Sequence, residues 1–382
     1  MLAPSLPPPL LITTADDLCR LIEKLAPEPA VAVDTESNSL FAYHERVCLL
    51  QLSVAAGDYL IDPLQVNDLS PLATLFANPQ QQKVFHAAEY DILCLKRDYH
   101  FEFANIFDTM VATRILGWPH LGLGTLLAEQ FGVHLNKRYQ RANWGERPLP
   151  PALLDYARLD THYLLPLRDR LLSELHNCHR QEEAEAEFAR LAHLQPPPEN
   201  GSQWRTHFRR LLKGNHRLTP EQSAVLQALC YARDQQAQRL NRPPFKVISD
   251  TVLRDIAACC PRTPAALLEV KGMTPVQLRR HAAWILKAVE QGLTAPPEVT
   301  ITPPPPTEAI VLERYQRLRR WRQQKALQRG VASEVILPRQ ALWEIAQRFP
   351  RTMEALATIE QLSAWHRHAY GTEILEVLKV RN

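Results

Sequence analysis

Apolar positions between residues 31 and 61 fall in short runs: Val31–Val33, Val47–Val54 around Leu49-Leu50-Gln51-Leu52, and Asp58–Ile61 just before Asp62-Pro63. Runs of this length, bounded by turn residues, predict strands, and their short connections predict antiparallel neighbours. Helical spacing follows in Leu69–Phe76. A strand-like Lys83–Phe85 then leads into a helix through Tyr90, Ile92, Leu93 and Leu95, and another strand-like stretch ends near Asp108 before a helix to Leu116. A last helix is predicted through Leu153 to Leu175. This alternation predicts an α/β domain with a mixed β-sheet over residues 8–180.

Proline then interrupts the pattern. Pro196-Pro197-Pro198-Glu199-Asn200-Gly201-Ser202 sustains neither a helical nor a strand period and predicts a linker. Residues 218–292 read as all-helical, with Thr219-Pro220 and Thr263-Pro264 as caps followed by proline in the first turn. A second proline cluster, Thr302 to Thr307, precedes a third segment, residues 306–378. It weakly repeats the same plan: a basic helix, an apolar stretch at Ile336-Leu337-Pro338, then two short helices. The fold class expected is α/β plus all-α.

Composition narrows this picture only a little. A chain of 382 residues predicts two or three domains, and a 46% hydrophobic share allows them to fold without staples. A formal charge of +3 is too small to identify a polyanionic partner, so the distribution of charge matters more than its sum. The seven cysteines are odd in number and form no CxxC pair, which predicts reduced, buried thiols. No basic start leads into an apolar stretch, and no run of about eighteen apolar residues occurs anywhere. A cytoplasmic protein with no membrane association is expected.

Candidate chemistry begins at Asp34-Thr35-Glu36, where the first apolar run meets a turn. The period of two in a strand points Asp34 and Glu36 to one side, where they can share a divalent cation; solvated turn chemistry is the competing reading. Asp91 opens a helix after the Lys83–Phe85 strand, a position that helix-terminus electrostatics also favours without any chemistry. Tyr156 and Asp160 stand at i and i+4 on one helical face, with Asp155 and Arg158 pointing elsewhere. A surface pair is the bland reading of those two; beside two more carboxylates, Asp160 demands a compensating cation.

In order and spacing these residues resemble the ribonuclease D group of DEDD exonucleases, in the variety with tyrosine four residues before the last aspartate. Asp34-Thr35-Glu36 matches the family's first motif, His86 through Asp91 the second, and Tyr156 through Asp160 the third. The resemblance implies a ribonuclease H-like fold and 3'-to-5' hydrolysis of RNA with release of 5'-nucleotides, typically trimming transfer RNA precursors. It also implies two divalent ions about 4 Å apart. On this resemblance Asp34, Glu36 and Asp160 are expected to hold the ion that activates water, and Asp34 to bridge to the second, assisted by Asp91. Tyr156, a weak base at its ordinary pKa, orients the attacking water. Oxygen ligands and the absence of clustered cysteines favour Mg²⁺ or Mn²⁺ over structural zinc. His162 lies on another helical face and is assigned to packing or surface. Asp108 matches a recurrent family position that a helix cap explains equally well. The basic, aromatic stretch Lys137 to Arg147 supplies Arg141, Trp144 and Arg147 as candidate RNA contacts, with core packing the alternative for Trp144. His86 and Gln51 are further candidates for the cleft.

Residues 218–292 resemble an HRDC domain, on the strength of Asn241 through Ile248 and of Leu268 through Pro275, where Gly272 admits a tight turn. Residues 306–378 resemble a diverged second copy. Its Arg314, Arg317, Arg319, Arg320, Arg322, Lys325 and Arg329 outnumber Glu313, and a one-signed face of this kind suits RNA. Arg205, Arg209, Arg210, Lys213 and Arg217 are expected to extend that surface. The partner expected is RNA with a free 3' end, and the chain is expected to be monomeric. A DNA 3'-to-5' exonuclease of repair and a catalytically inactive RNA-binding scaffold are the alternatives.

Overall fold

The computed structural model describes residues 6–197, 203–213, 218–294 and 308–379. Most of the Pro196–Ser202 linker, Arg217, the Thr302–Thr307 cluster and the first residues of the third expected domain lie outside them, and the side chain of Lys213 is not described.

The α/β body contains β1 (Leu10–Ile12), α1 (Ala15–Leu25), β2 (Ala30–Ser37), β3 (Val47–Val54), β4 (Gly57–Ile61), α2 (Pro71–Ala77), β5 (Gln82–Phe85), α3 (Glu89–Tyr99), β6 (Ile106–Asp108), α4 (Thr109–Leu116), α5 (Leu123–Phe131), α6 (Pro151–His162), α7 (Leu164–Asn177) and α8 (Gln181–Ala192). Its strands form one six-stranded mixed sheet in the order β1-β4-β3-β2-β5-β6. β2 is antiparallel to β3 and β3 to β4, whereas β1 with β4, β2 with β5 and β5 with β6 are parallel. Every residue of β3 is buried, which explains why it reads as a continuous apolar run rather than an alternation. β2 serves two layers: Val31 and Val33 join a core with Leu18 and Leu21 of α1 and Ile92 of α3, while Ala30 and Ala32 face Ala112 of α4 and Leu167 and Leu171 of α7. Asp34 and Glu36 continue the alanine side.

The sequence reading missed β1 and α1, although α1 has a Thr14 cap and Leu18, Leu21 and Leu25 on one face. The single helix expected through Leu153 to Leu175 is two helices meeting at Tyr163. Pro166 accounts for the break, because its ring cannot follow a helical carbonyl at His162, four residues earlier. The body also continues past residue 180: Ala184, Phe188 and Leu191 of α8 are buried in its cores. Cys48, Cys94 and Cys230 are buried as expected, but Cys19, Cys178 and Cys259 are exposed.

A second compact unit comprises residues 38–46 and the described residues between 197 and 294. It holds α9 (Gln203–Lys213), α10 (Pro220–Arg239), α11 (Pro244–Val247), α12 (Asp250–Cys259), α13 (Pro264–Leu268) and α14 (Pro275–Thr294). Val225 and Leu229 of α10 pack with Leu253 and Ile256 of α12 and Ile285 and Val289 of α14. Trp204, Phe208 and Leu211 of α9 share this core, so the unit begins before residue 218. Segment 38–46 is fastened within it: the Tyr43 amide donates to Asn241 Oδ1 at 3.2 Å, and the Lys246 ammonium lies 3.8 Å from the Phe41 ring centre.

The third helical segment, α15 (Ala309–Arg329), α16 (Ser333–Ile336), α17 (Arg339–Arg348), α18 (Met353–Ala357) and α19 (Ala364–Lys379), groups with the α/β body. Its repeat relation to the second unit is visible in one pair of buried arginines. Arg233 of α10 donates to the Ile248 carbonyl and Arg322 of α15 to the Leu337 carbonyl, each at 2.8 Å and each fifteen residues along the chain. Arg322 is therefore an internal tie of its module, withdrawn from the basic face where the sequence reading had set it. At the end of α15, Arg329 makes a forked ion pair with the buried Glu183 of α8, and Arg180 donates to the Arg329 carbonyl at 2.9 Å. Among the described residues no helix is long and apolar enough to cross a membrane.

This docking leaves no room at Gly117, which follows α4 at φ +81°, because a Cβ there would collide with the Gly330 carbonyl oxygen. We predict that Gly117→Ala destabilises the body by at least about 1–2 kcal/mol from the left-handed backbone alone, seen in urea unfolding and as faster tryptic cleavage within α15. Unchanged unfolding and cleavage would contradict the docking described.

Candidate active site

Strand β2 and helix α6 bring the acidic side chains together. α6 starts at Pro151 and is bolted across the sheet by Ser53 Oγ to Thr161 Oγ1 at 2.7 Å and by His162 Nδ1 to the Asp58 carboxylate at 3.0 Å. Those bonds set the rotation of α6, so that Tyr156 and Asp160 face β2. His162 serves packing, as its helical face suggested. Asp34, Glu36 and Asp160 each offer a carboxylate oxygen, and the three oxygens lie within 4.8 Å of one another.

Asp91 stands beside this trio rather than in it. Thr35, between the two acids of β2, donates its hydroxyl to Asp91 Oδ1, and the Thr35 amide also bonds this carboxylate. The turn that delivers Asp91 is pinned by Asp108, whose carboxylate accepts the amides of Ala87 at 3.1 Å, Ala88 at 2.8 Å, Met110 at 2.8 Å and Val111 at 3.1 Å. Asp108 is thus more than a cap: it joins the β5–α3 turn, with Ala87 at φ +64°, to the start of α4. His86 is tied to Thr109 Oγ1 at 2.9 Å and to the Leu121 backbone, and burial holds its pKa down.

Electrostatics in this cluster are unfavourable without counter-charge. Burial and then the neighbouring Asp91, Asp160 and Glu36 hold the Asp34 pKa well above the carboxylate range. Burial, then Asp160 and Asp91, push Glu36 up to about 9. Asp91 is raised to about 7 chiefly by burial, against the bonds from Thr35. Asp160 is likewise raised to about 7 by burial, against a hydrogen bond from Tyr156. Oxygen donors that cannot all ionise together suit a divalent cation, which would supply the missing positive charge. Burial, with Asp160, Glu36 and Asp34 nearby, raises the Tyr156 pKa, so the phenol keeps its proton and donates.

The expected RNA contacts divide. Trp144 is buried, its ring 6.3 Å from that of Tyr156, and Tyr139 lies 5.6 Å from Tyr156 on the same wall. Core packing is the reading of Trp144 that holds. Arg147 is consumed internally, with Asp62 oxygens at 2.6 and 2.7 Å, the Cys48 carbonyl at 2.6 Å and the Trp144 carbonyl at 2.7 Å. It locks the loop that carries Trp144 instead of reaching outward. Arg141 is exposed on a short turn, and the neighbouring Gln140 side chain bonds Tyr156. Arg319 and Arg320 are exposed, Arg314 covers the Phe349 ring at 3.7 Å, and Arg317 lies 3.8 Å from Glu313. Arg314, Arg317, Arg351 and Lys379 line an open cavity of about 710 Å³.

Thr35, Gln140 and the four-amide role of Asp108 were not anticipated. Gln51 was named as a cleft candidate, and its position is unusual: it is fully buried, and neither its amide nitrogen nor its oxygen has a hydrogen-bond partner. Such a group costs about 1–3 kcal/mol.

A 3'-5' exonuclease family model matches residues 9–176, and an HRDC domain model matches residues 222–289 and 311–378. Ribonuclease D of Acidiphilium cryptum is 34% identical over 275 residues, covering 71% of this chain and 69% of that protein. Ribonuclease D of Granulibacter bethesdensis is 30% identical over 384 residues, covering 97% and 92%. The crystal structure of Escherichia coli RNase D, titled an exoribonuclease involved in structured RNA processing, shares the fold with a TM-score of 0.69 at 23% identity, covering 97% of this chain and 98% of that one. The motif order on β2, α3 and α6, the two HRDC matches and these two curated relatives together establish that the chain belongs to the ribonuclease D family, the metal-dependent 3'-to-5' exoribonucleases.

Proposed function

We propose that this exoribonuclease works with two divalent ions, Mg²⁺ or Mn²⁺, and trims the 3' ends of structured RNA, transfer RNA precursors among them. The observation that carries the proposal is the meeting of Asp34, Glu36 and Asp160 oxygens within 4.8 Å, with Asp91 held alongside by Thr35. When bound, the ions activate water and neutralise charge on the attacking and leaving oxygens. Asp34, Glu36 and Asp160 would hold them, with Asp91 assisting. Tyr156, kept protonated, orients the attacking water through its hydroxyl and is itself held by Gln140, Trp144 and Tyr139. The water adds to phosphorus as the P–O3' bond breaks, so a 5'-nucleotide leaves and the shortened chain keeps a free 3' hydroxyl. Trp144 and Arg147 support this wall. Arg141 near the cleft and Arg314, Arg317, Arg319 and Arg320 on the last module are the residues we assign to RNA phosphates. The chain acts as a monomer in this account.

On 5'-labelled RNA with a free 3' end, the protein should shorten the chain stepwise. Asp34→Asn should cut the rate by about a thousand-fold, the loss of roughly 4 kcal/mol of charge stabilisation. Tyr156→Phe should cost about a hundred-fold. Full activity of Asp34→Asn, or in chelator, would refute the proposal, and faster degradation of matched DNA would redirect it to repair.

Metal-free stability should depend on pH in a defined sense. The raised carboxyl pKa values mean that the folded state holds protons the unfolded chain releases above about pH 4. That contribution is complete below pH 4 and is lost as pH rises through about 7 for Asp91 and Asp160 and about 9 for Glu36. In chelator the melting temperature should therefore fall from pH 5 to pH 9, and excess Mg²⁺ should remove most of the fall. Replacing Arg314, Arg319 and Arg320 together by glutamine should weaken long-RNA binding and lower the salt slope by about 2, at about 0.7 per lost phosphate contact, while hydrolysis of a very short oligonucleotide continues. Arg322→Gln should instead reduce the stability of its module.

A further inference from the structure

Gln51 is, with Ser53, one of two polar residues in β3, a strand buried from end to end, and the one of the two whose side chain finds no hydrogen-bond partner. The strand period places it on the same face as Leu49 and Ser53. Leu49 shares a cluster with Trp144 and Tyr156, and Ser53 bonds Thr161, the residue after Asp160. Gln51 therefore sits beneath α6, between the tyrosine wall and the attachment point of Asp160. Its partner across the ladder on β2 is Asp34, and on β4 it is Leu60. Residues facing each other across antiparallel strands hold their Cβ atoms about 4.5–5.5 Å apart, within reach of a glutamine amide and an aspartate carboxylate. Leu60 offers that amide nothing polar. A fully buried amide without any partner is rare in a native core and calls for a reason.

We infer that Gln51 is a positioning residue of the acidic cluster: its Nε2–H donates to the Asp34 carboxylate when divalent cations are held there. The role rests on the proposed function, since it requires that Asp34 be a ligand. Residues that orient a ligand from behind are coupled to metal affinity, typically by ten- to a hundred-fold. In the chain without cations, by contrast, the same amide is buried with no hydrogen-bond partner, so a side chain of about equal length and no polarity removes an unsatisfied polar group. The two states thus make opposite demands on one position, which separates positioning from packing.

The test is Gln51→Met in the full chain, stripped of metal, with Mn²⁺ affinity measured by calorimetry and melting followed in chelator. Leu60→Met, the apolar neighbour across the ladder, is the control. The inference expects the metal-free Gln51→Met chain to melt at or above the parent's temperature, while its Mn²⁺ dissociation constant rises about ten-fold; for Leu60→Met that constant should stay within two-fold of the parent's. A Gln51→Met constant also within two-fold of the parent's would make Gln51 a packing residue and overturn the inference. Loss of the metal-free fold in Gln51→Met would overturn it equally, because an amide with no partner cannot be what holds that state together. A parent chain that itself takes up no Mn²⁺ would instead overturn the proposed function, and this inference with it.

Discussion

The mutual repulsion of Asp34, Glu36, Asp91 and Asp160 is the constraint around which the α/β body is organised. Burial raises the cost of each charge, and each carboxylate raises the cost of the next. A fold can keep such a cluster only by anchoring it from outside, and the anchors are specific. Thr35 holds Asp91, Asp108 holds the turn that delivers it, and Ser53 and Asp58 hold α6. Hydrophobic burial in the two sheet layers stabilises the frame; the anchors convert that frame into a site whose remaining deficit is positive charge.

The same economy of structure appears in the basic and aromatic residues. An arginine in a run of arginines looks like a phosphate contact, yet Arg147 and Arg322 spend their donors on carbonyls and an aspartate inside the fold. Arg329, at the end of the same helix as Arg322, docks the last module through Glu183. Of the arginines named as candidate RNA contacts, Arg141, Arg314, Arg317, Arg319 and Arg320 sit at the surface or line an open cavity.

The members of the acidic cluster were legible in the sequence because residue type and spacing place them together. Asp34 and Glu36 are two apart on a strand, and Tyr156 and Asp160 are four apart on a helix. The mixed sheet was legible too, since β3 and β4 announce themselves as apolar runs. The remainder was not, for physical reasons. Trp144 is equally suited to stacking on a base and to filling a core, and only tertiary burial decides. Pro166 sits inside an otherwise helical pattern, and the break falls three residues ahead of it. α8 belongs to the body through Phe188 and Leu191, whose partners lie on β6 and α3, too far along the chain for periodicity to reveal. Gln51 was named only as a candidate for the cleft, and that its amide stands without a partner can be seen only in three dimensions.

The central claim is that the acidic cluster is a divalent-cation centre, and anomalous diffraction from a Mn²⁺-soaked crystal tests it most directly. The account predicts anomalous density among the Asp34, Glu36, Asp160 and Asp91 carboxylates. Peaks only elsewhere on the molecule, or an ordered cluster with none, would contradict it.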